Sequence, residues 1–189
     1  MGETMTQWPV MIPGVVALAL GVGCATGRPD GDEAVKEAQD TVDMFKKTDI
    51  NLDNFFSRAA GYAVFPTVGK GGLVAGGAYG SGVLFDHGQA VGKTSLTQVT
   101  VGFQLGGQAY SEIIFLETDG ALTGFKSGQF ALAAEASAVA LTAGAAATAK
   151  YQQGVAIFTS TKGGLMYEAS VGGQKFSYDA FGERKVSSR

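Results

Sequence analysis

Residues 73–85 constrain the fold of this chain more than any other stretch. Leu73, Ala75, Gly77, Tyr79, Ser81, Val83 and Phe85 alternate with Val74, Gly76, Ala78, Gly80, Gly82 and Leu84. A side-chain period of two predicts a β-strand, whose successive residues point to opposite faces. The second face is nearly bare between Val74 and Leu84. A mid-strand glycine costs roughly 0.5–1 kcal/mol relative to alanine. Several together need a reason: sharp bending, or close approach of a backbone or a ligand. Upstream, a short apolar run from Tyr62 to Phe65 meets Pro66. Proline lacks an N–H for the ladder and predicts the end of that strand. Gly69-Lys70-Gly71-Gly72 then reads as a turn.

Downstream, Asp86-His87-Gly88 predicts a turn, and Gln89 to Lys93 begins the return strand. In residues 98–106, Val99, Val101, Phe103 and Leu105 share one face, and Gln98, Thr100, Gly102, Gln104 and Gly106 the other. A further strand runs from Ala109 to Glu117, and a short helix from Ala121 to Lys126. Phe130 to Leu141 is alanine-rich, helical by propensity. Gly144 to Lys150 reads as a loop of small residues. Val155–Thr159, Leu165–Val171 and Lys175–Tyr178 read as short strands, separated by the doubled glycines 163–164 and 172–173. Before the strands, a helix begins near Glu33, capped by Asp30 or Asp32, with Val35, Ala38, Val42 and Phe45 on one stripe. A second helix is predicted from Leu52 to Ala60 with Asn51 as its cap. The fold class is therefore α+β: a glycine-rich, strongly curved antiparallel β-barrel or sandwich with N-terminal helices packed on it.

Val10 to Gly23 is uncharged and broken by Pro13. Such a run of about 14 residues is too short to span a ~30 Å hydrocarbon core as a helix. It suits a signal-peptide core, and Leu20-Gly21-Val22-Gly23-Cys24 resembles a lipobox, the site at which lipoproteins are cleaved and acylated. The predicted organisation is a signal peptide at 1–23, an acylated Cys24 and tether at 24–32, one domain at 33–182 and a basic tail at 183–189. Cys24 is the only cysteine, which excludes an internal disulfide. The location this implies is the bacterial periplasm; Ala25 after the cysteine favours outer-membrane anchoring.

Several ordered blocks carry a family resemblance. Ala59 to Gly72, then Gly76 to Phe85, then Val101 to Phe115, Ala121 to Phe125 and Lys162 to Leu165 resemble the SYLF domain in order and spacing. The resemblance covers roughly residues 33–182. It implies a phospholipid-binding module, and for its bacterial members secreted lipoproteins; eukaryotic members also bind actin, a partner an envelope lipoprotein meets only if exported into a host. It also implies that Phe130 to Leu141 is a strand, the reading adopted over the helix.

The chemistry on offer matches binding better than catalysis. Charged residues are 16% of the chain and the net charge is −3, so no basic field exists to hold nucleic acid. The lone His87 and lone Cys24 allow neither a nucleophile–base set nor a metal cluster, and neither a catalytic residue, a metal ligand nor a cofactor is expected. Gly92-Lys93-Thr94 lacks the upstream glycine of a phosphate loop. Lys70, with Gly71 and Gly72 beside it, is the candidate for an anionic head group, because glycine N–H groups can reach a phosphate. Lys93 and Lys162 are candidate helpers, as is Lys126. Glu112, between Tyr110 and Ile114 on its face, is either a structural acid or a ligand-facing one; Glu135 poses the same question. The function read from the sequence is a non-enzymatic, membrane-anchored lipoprotein that binds phospholipid or a related amphiphile. The alternative is a structural or protein-interaction module of the envelope with no small ligand.

Overall fold

The computed structural model describes residues 29–72, 75–101, 107–128, 130–133, 136–162 and 171–182. The expected signal segment, Cys24, Leu73, Val74, Phe103, Leu105, Glu135, the strand at Leu165 and the tail lie outside them.

Helix α1 (Pro29–Thr48) leads through a 3₁₀ turn (Ile50–Leu52) into α2 (Asp53–Arg58). Then come β1 (Gly61–Gly72), β2 (Ala75–Asp86), β3 (Gln89–Val101), β4 (Gln108–Leu116), α3 (Asp119–Lys126), β5 (Val139–Ala140), α4 (Ala145–Thr148), β6 (Val155–Thr161) and β7 (Lys175–Ala180). The strands form one curved sheet in the order β5-β6-β4-β1-β2-β3-β7. All neighbours are antiparallel except β5 and β6. The α+β prediction holds, with the N-terminal helices on the sheet; the barrel form does not, because the sheet of described strands ends at β5 and β7 without closing.

Two apolar layers sandwich the sheet. On one face Phe45 of α1 and Phe55 of α2 pack with Val64, Val83, Phe115 and Phe158. On the other Phe65, Leu84, Leu96, Tyr110 and Ile114 pack with Phe125 of α3 and Phe176 of β7. The α1 stripe predicted from Val35, Ala38, Val42 and Phe45 is the one that docks.

Pro66 does not end β1. It sits in a break of register, between Val64 and Thr67 on the β2 side and between Phe65 and Val68 on the β4 side. A bulge is where a central strand tolerates proline, and the freed Pro66 carbonyl accepts the Ser111 hydroxyl at 2.8 Å. The bare glycine face is explained here too. A Cβ on Gly82 would strike the Val64 carbonyl oxygen and lie 2.8 Å from the Phe65 ring; one on Gly80 would lie 2.9 Å from Val68 Cγ2. The glycines admit a neighbouring backbone, one of the two reasons anticipated.

Four further expectations need correction. Lys70, Gly71 and Gly72 are not a turn: they continue β1, opposite Ala78, Gly77 and Gly76. Among the described residues of Phe130 to Leu141 most are irregular and Val139–Ala140 alone forms a strand; they are held instead by backbone bonds such as Leu132 N–H to the Gln174 carbonyl, 2.9 Å. The small-residue loop contains α4. Asn51 is not a cap: α2 has no side-chain cap, and Asp49 caps the 3₁₀ turn before it, its carboxylate accepting the Asn51 N–H at 3.0 Å and the Asn51 side-chain amide at 2.8 Å.

The same buried carboxylate accepts the Ala146 N–H of α4 at 2.7 Å, tying α4 to the end of α1. Burial works to raise the Asp49 pKa, but the hydrogen bonds from Ala146, Asn51 and Gly144 outweigh it and hold the group below its ordinary value. Its stabilisation is thus present above pH 3.8 and lost as pH falls through the lower folded value. Asp49→Ala strands these donors and is expected to cost about 2–3 kcal/mol in urea unfolding at pH 7. Asp49→Asn, which keeps an acceptor, should cost less; equal losses would show that the carboxylate holds nothing.

Candidate functional site

The two-residue turn between β2 and β3 is made by His87 and Gly88, with φ of 46° and 80°, the geometry of a tight hairpin turn. His87 Nδ1 lies 2.6 Å from Asp86 Oδ1, and Lys126 of α3 donates to Asp86 Oδ2. The hydrogen bond that the His87 ring donates to the Asp86 carboxylate raises the His87 pKa, and Lys126 lowers that of Asp86. Lys126 is therefore a structural clamp between α3 and the turn.

The three lysines proposed for a head group do not converge. Lys70 shares a rung with Ala78, Gln98 and Gln108, on the face of the Phe65 layer. It is half-buried, and burial lowers its pKa. Lys93 shares a rung with Val83 and Asp179, on the opposite face. Lys162 is exposed, and its ammonium donates to Thr67 Oγ1 at 2.6 Å, on the side of Lys93. Gly71 and Gly72, extended in the ladder, form no cradle of adjacent N–H groups beside Lys70.

Glu112 sits on β4 between β1 and β6, opposite Phe65 and Thr159, with no exposure. Gln174 Nε2 donates to its Oε2 at 3.1 Å and lies 3.4 Å from the Tyr110 hydroxyl. Burial pushes its pKa up to about 7, against the hydrogen bonds from Gln174 and Tyr110 that favour the carboxylate. Burial and the Glu112 charge hold the Tyr110 hydroxyl well above its ordinary pKa. Glu112 Oε1, Gln174 Oε1 and Thr159 Oγ1 are buried without a hydrogen-bond partner among the described residues. Of the two readings of Glu112, its hydrogen bonds describe the structural one: a polar knot that joins β4 to the segment preceding β7. Gln174, buried as deeply, was invisible to pattern reading because it follows Gly172-Gly173 outside any periodic run.

The uncovered end of the sheet offers a different surface. Beyond α1, on the Val83 face, Ser81, Ser95 and Ser177 form one rung, with 2.6 Å between the Ser95 and Ser177 hydroxyls. The next rung is Tyr79, Thr97 and Lys175, and Val99 follows opposite Gly77. Tyr79 is 59% and Val99 82% exposed, while Gln98 is buried. Gln98 and Val99 alternate as predicted, with the apolar residue outward. A large exposed apolar side chain is more informative than a buried one when it has company.

With this arrangement established, comparison with known families gives the class of the domain. Residues 97–185 match the family model Ysc84, described as Las17-binding protein actin regulator. The matched stretch is consistent with a SYLF domain and takes in the blocks read at Val101–Phe115, Ala121–Phe125 and Lys162–Leu165. No curated protein matches the chain.

Proposed function

We propose that this protein is a non-enzymatic lipoprotein, anchored through acylated Cys24 in the bacterial envelope, whose SYLF domain binds phospholipid or a related amphiphile. The SYLF match supports a lipid- or actin-binding module. The lipobox-like Leu20 to Cys24 favours the lipid branch and a periplasmic, outer-membrane location. The observation that carries the reading is the exposed pair Tyr79 and Val99 on a serine- and threonine-rich sheet end, with lysines Lys93 and Lys175 on the same face. A tyrosine presents an apolar ring and a polar tip, which suits a membrane interface. Among the described residues no helix is long and apolar enough to cross a membrane, so the contact proposed is peripheral. The second reading, a protein-interaction module, draws on the family's own description as a Las17-binding protein.

The test uses the full chain with Cys24→Ser, so that acylation cannot mask the domain. It is expected to co-sediment with vesicles containing one-third phosphatidylglycerol. Tyr79→Ser with Val99→Ser removes apolar contacts worth about 1.5–3 kcal/mol each when fully buried, so binding should fall at least tenfold. Unchanged binding by the double variant would remove this surface from the account. Absence of binding by the unmutated domain would favour the interaction module.

A further inference from the structure

Two hollows flank the segment Ala149–Lys150, and none of the lysines singled out in the sequence lines either. One is a basin of about 560 Å³ between α2, α4 and the end of β4. Phe55, Ala146 and Tyr151 line it, with Arg58 and Lys150 exposed at its rim and Glu117 as its one acid among the described residues. Neither Arg58 nor Lys150 forms an ion pair among the described residues. The Tyr151 ring packs on Phe55, 5.3 Å between centroids. Its hydroxyl is buried with no hydrogen-bond partner among the described residues. Both Glu117 and Arg58 act on that hydroxyl, which places it with the charges of the basin; burial is the main cause that pushes its pKa up to about 12.

The other hollow is a slot of about 200 Å³ between residues 130–133 and 136–139 and the start of β6. Its walls include Phe130, Leu132, Ala133, Ala136, Val139 and Ile157, and it shares Ala149 and Lys150 with the basin. Ala131, Ala133 and Ala136 belong to the run that reads as helix by propensity yet is irregular where described: small side chains leave the gap open.

We propose that basin and slot together bind a single-chain anionic amphiphile, with the head between Arg58 and Lys150 and the chain in the alanine-walled slot. The charges select the head: two unpaired cations outnumber one acid, and a guanidinium beside an ammonium suits a phosphate monoester or carboxylate. The volumes select the chain. The slot lies below the ~300 Å³ at which pockets for drug-sized ligands begin, so it takes one chain and not a diacyl lipid. The inference rests on the lipid-binding reading for its ligand class, but places the ligand on a site separate from the Tyr79–Val99 face.

The experiment is calorimetric titration of the full chain carrying Cys24→Ser with decyl phosphate below its micelle concentration. Inorganic phosphate is titrated in parallel. Decyl phosphate is expected to bind one per chain, at least tenfold tighter than inorganic phosphate. Arg58→Glu with Lys150→Glu, both at exposed positions, should weaken it at least tenfold. Ala133→Leu, also exposed, should weaken decyl phosphate and leave inorganic phosphate unchanged. Equal affinity for the two ligands overturns the slot and leaves an anion site from another source. Unchanged affinity in the doubly reversed variant, or absence of decyl phosphate binding, overturns the site. Vesicle sedimentation separates the two failures: a chain that still binds vesicles but not decyl phosphate loses this site alone, and one that binds neither loses the lipid reading as well.

Discussion

Replacing Gly82 with valine is expected to lower stability by about 2–3 kcal/mol or more, the upper range for forced overpacking. The β2 strand crosses the Pro66 bulge of β1 at this residue. The first carbon of any side chain would meet the Val64 carbonyl and the Phe65 ring. One is backbone and the other is a fully buried core side chain, so neither can step aside cheaply. Valine at Gly69 is the matched control: the same substitution on the adjacent strand, where an added Cβ meets nothing within 4 Å. There the gain in strand preference should leave stability unchanged or raise it by up to ~1 kcal/mol. For a chain of 150–250 residues each kcal/mol moves the midpoint by roughly 2–4 °C, so thermal unfolding of the two variants separates them clearly. Equal midpoints would mean that Gly82 is not a site of close backbone approach.

Glu112→Gln carries the second large effect, and its sign depends on pH. The folded pKa is about 7 against an ordinary 4.5, raised by burial. Between those values the folded chain binds more protons than the unfolded one. Stability is therefore greatest below pH 4.5 as far as this group is concerned, falls as pH rises through 7, and stays lower above it. A shift of this size corresponds to about 3 kcal/mol. Glutamine stays neutral at every pH and can still accept from Gln174. The variant should thus match the wild type near pH 5 and exceed it by about 2–3 kcal/mol at pH 8. His87, whose pKa is raised by its hydrogen bond to Asp86, is common to both proteins and cancels in the difference. Urea unfolding of both at pH 5 and pH 8 checks this; a pH-independent difference would show that Glu112 is not held protonated by the fold.

The strands were legible where local pattern decides them. The alternation read over 73–85 and the turn read at Asp86-His87-Gly88 each depend on neighbours in sequence; the structure has β2 over Ala75–Asp86 and the turn at His87 and Gly88. What failed depended on partners far along the chain. Pro66 stays inside β1 because Gly82, on another strand, leaves room for its bulge. Gly71 and Gly72 look like a turn alone, but pairing with Gly77 and Gly76 extends them. The alanine-rich segment has helical propensity, yet its backbone finds Gln174 and Phe176 instead.

The candidate site was less legible than the fold. Lys70 was noticed for the glycines beside it, but the sheet itself lies between its face and that of Lys93. Arg58, Tyr151 and Lys150 come together only through the packing of α2, α4 and the sheet. Each is ordinary in its own stretch. Glu112 was identified as an acid in an apolar strand, but its partner Gln174 lies 62 residues away.

The most direct measurement of the central claim is native mass spectrometry of the full chain, purified from membranes in mild detergent, followed by lipid extraction. A phospholipid or single-chain amphiphile retained at one per chain, beyond the mass of the acyl anchor, is the expected result. A chain that carries its anchor and nothing else, and that binds neither anionic nor neutral vesicles when the anchor is removed, would contradict the account and leave a protein-interaction module in its place.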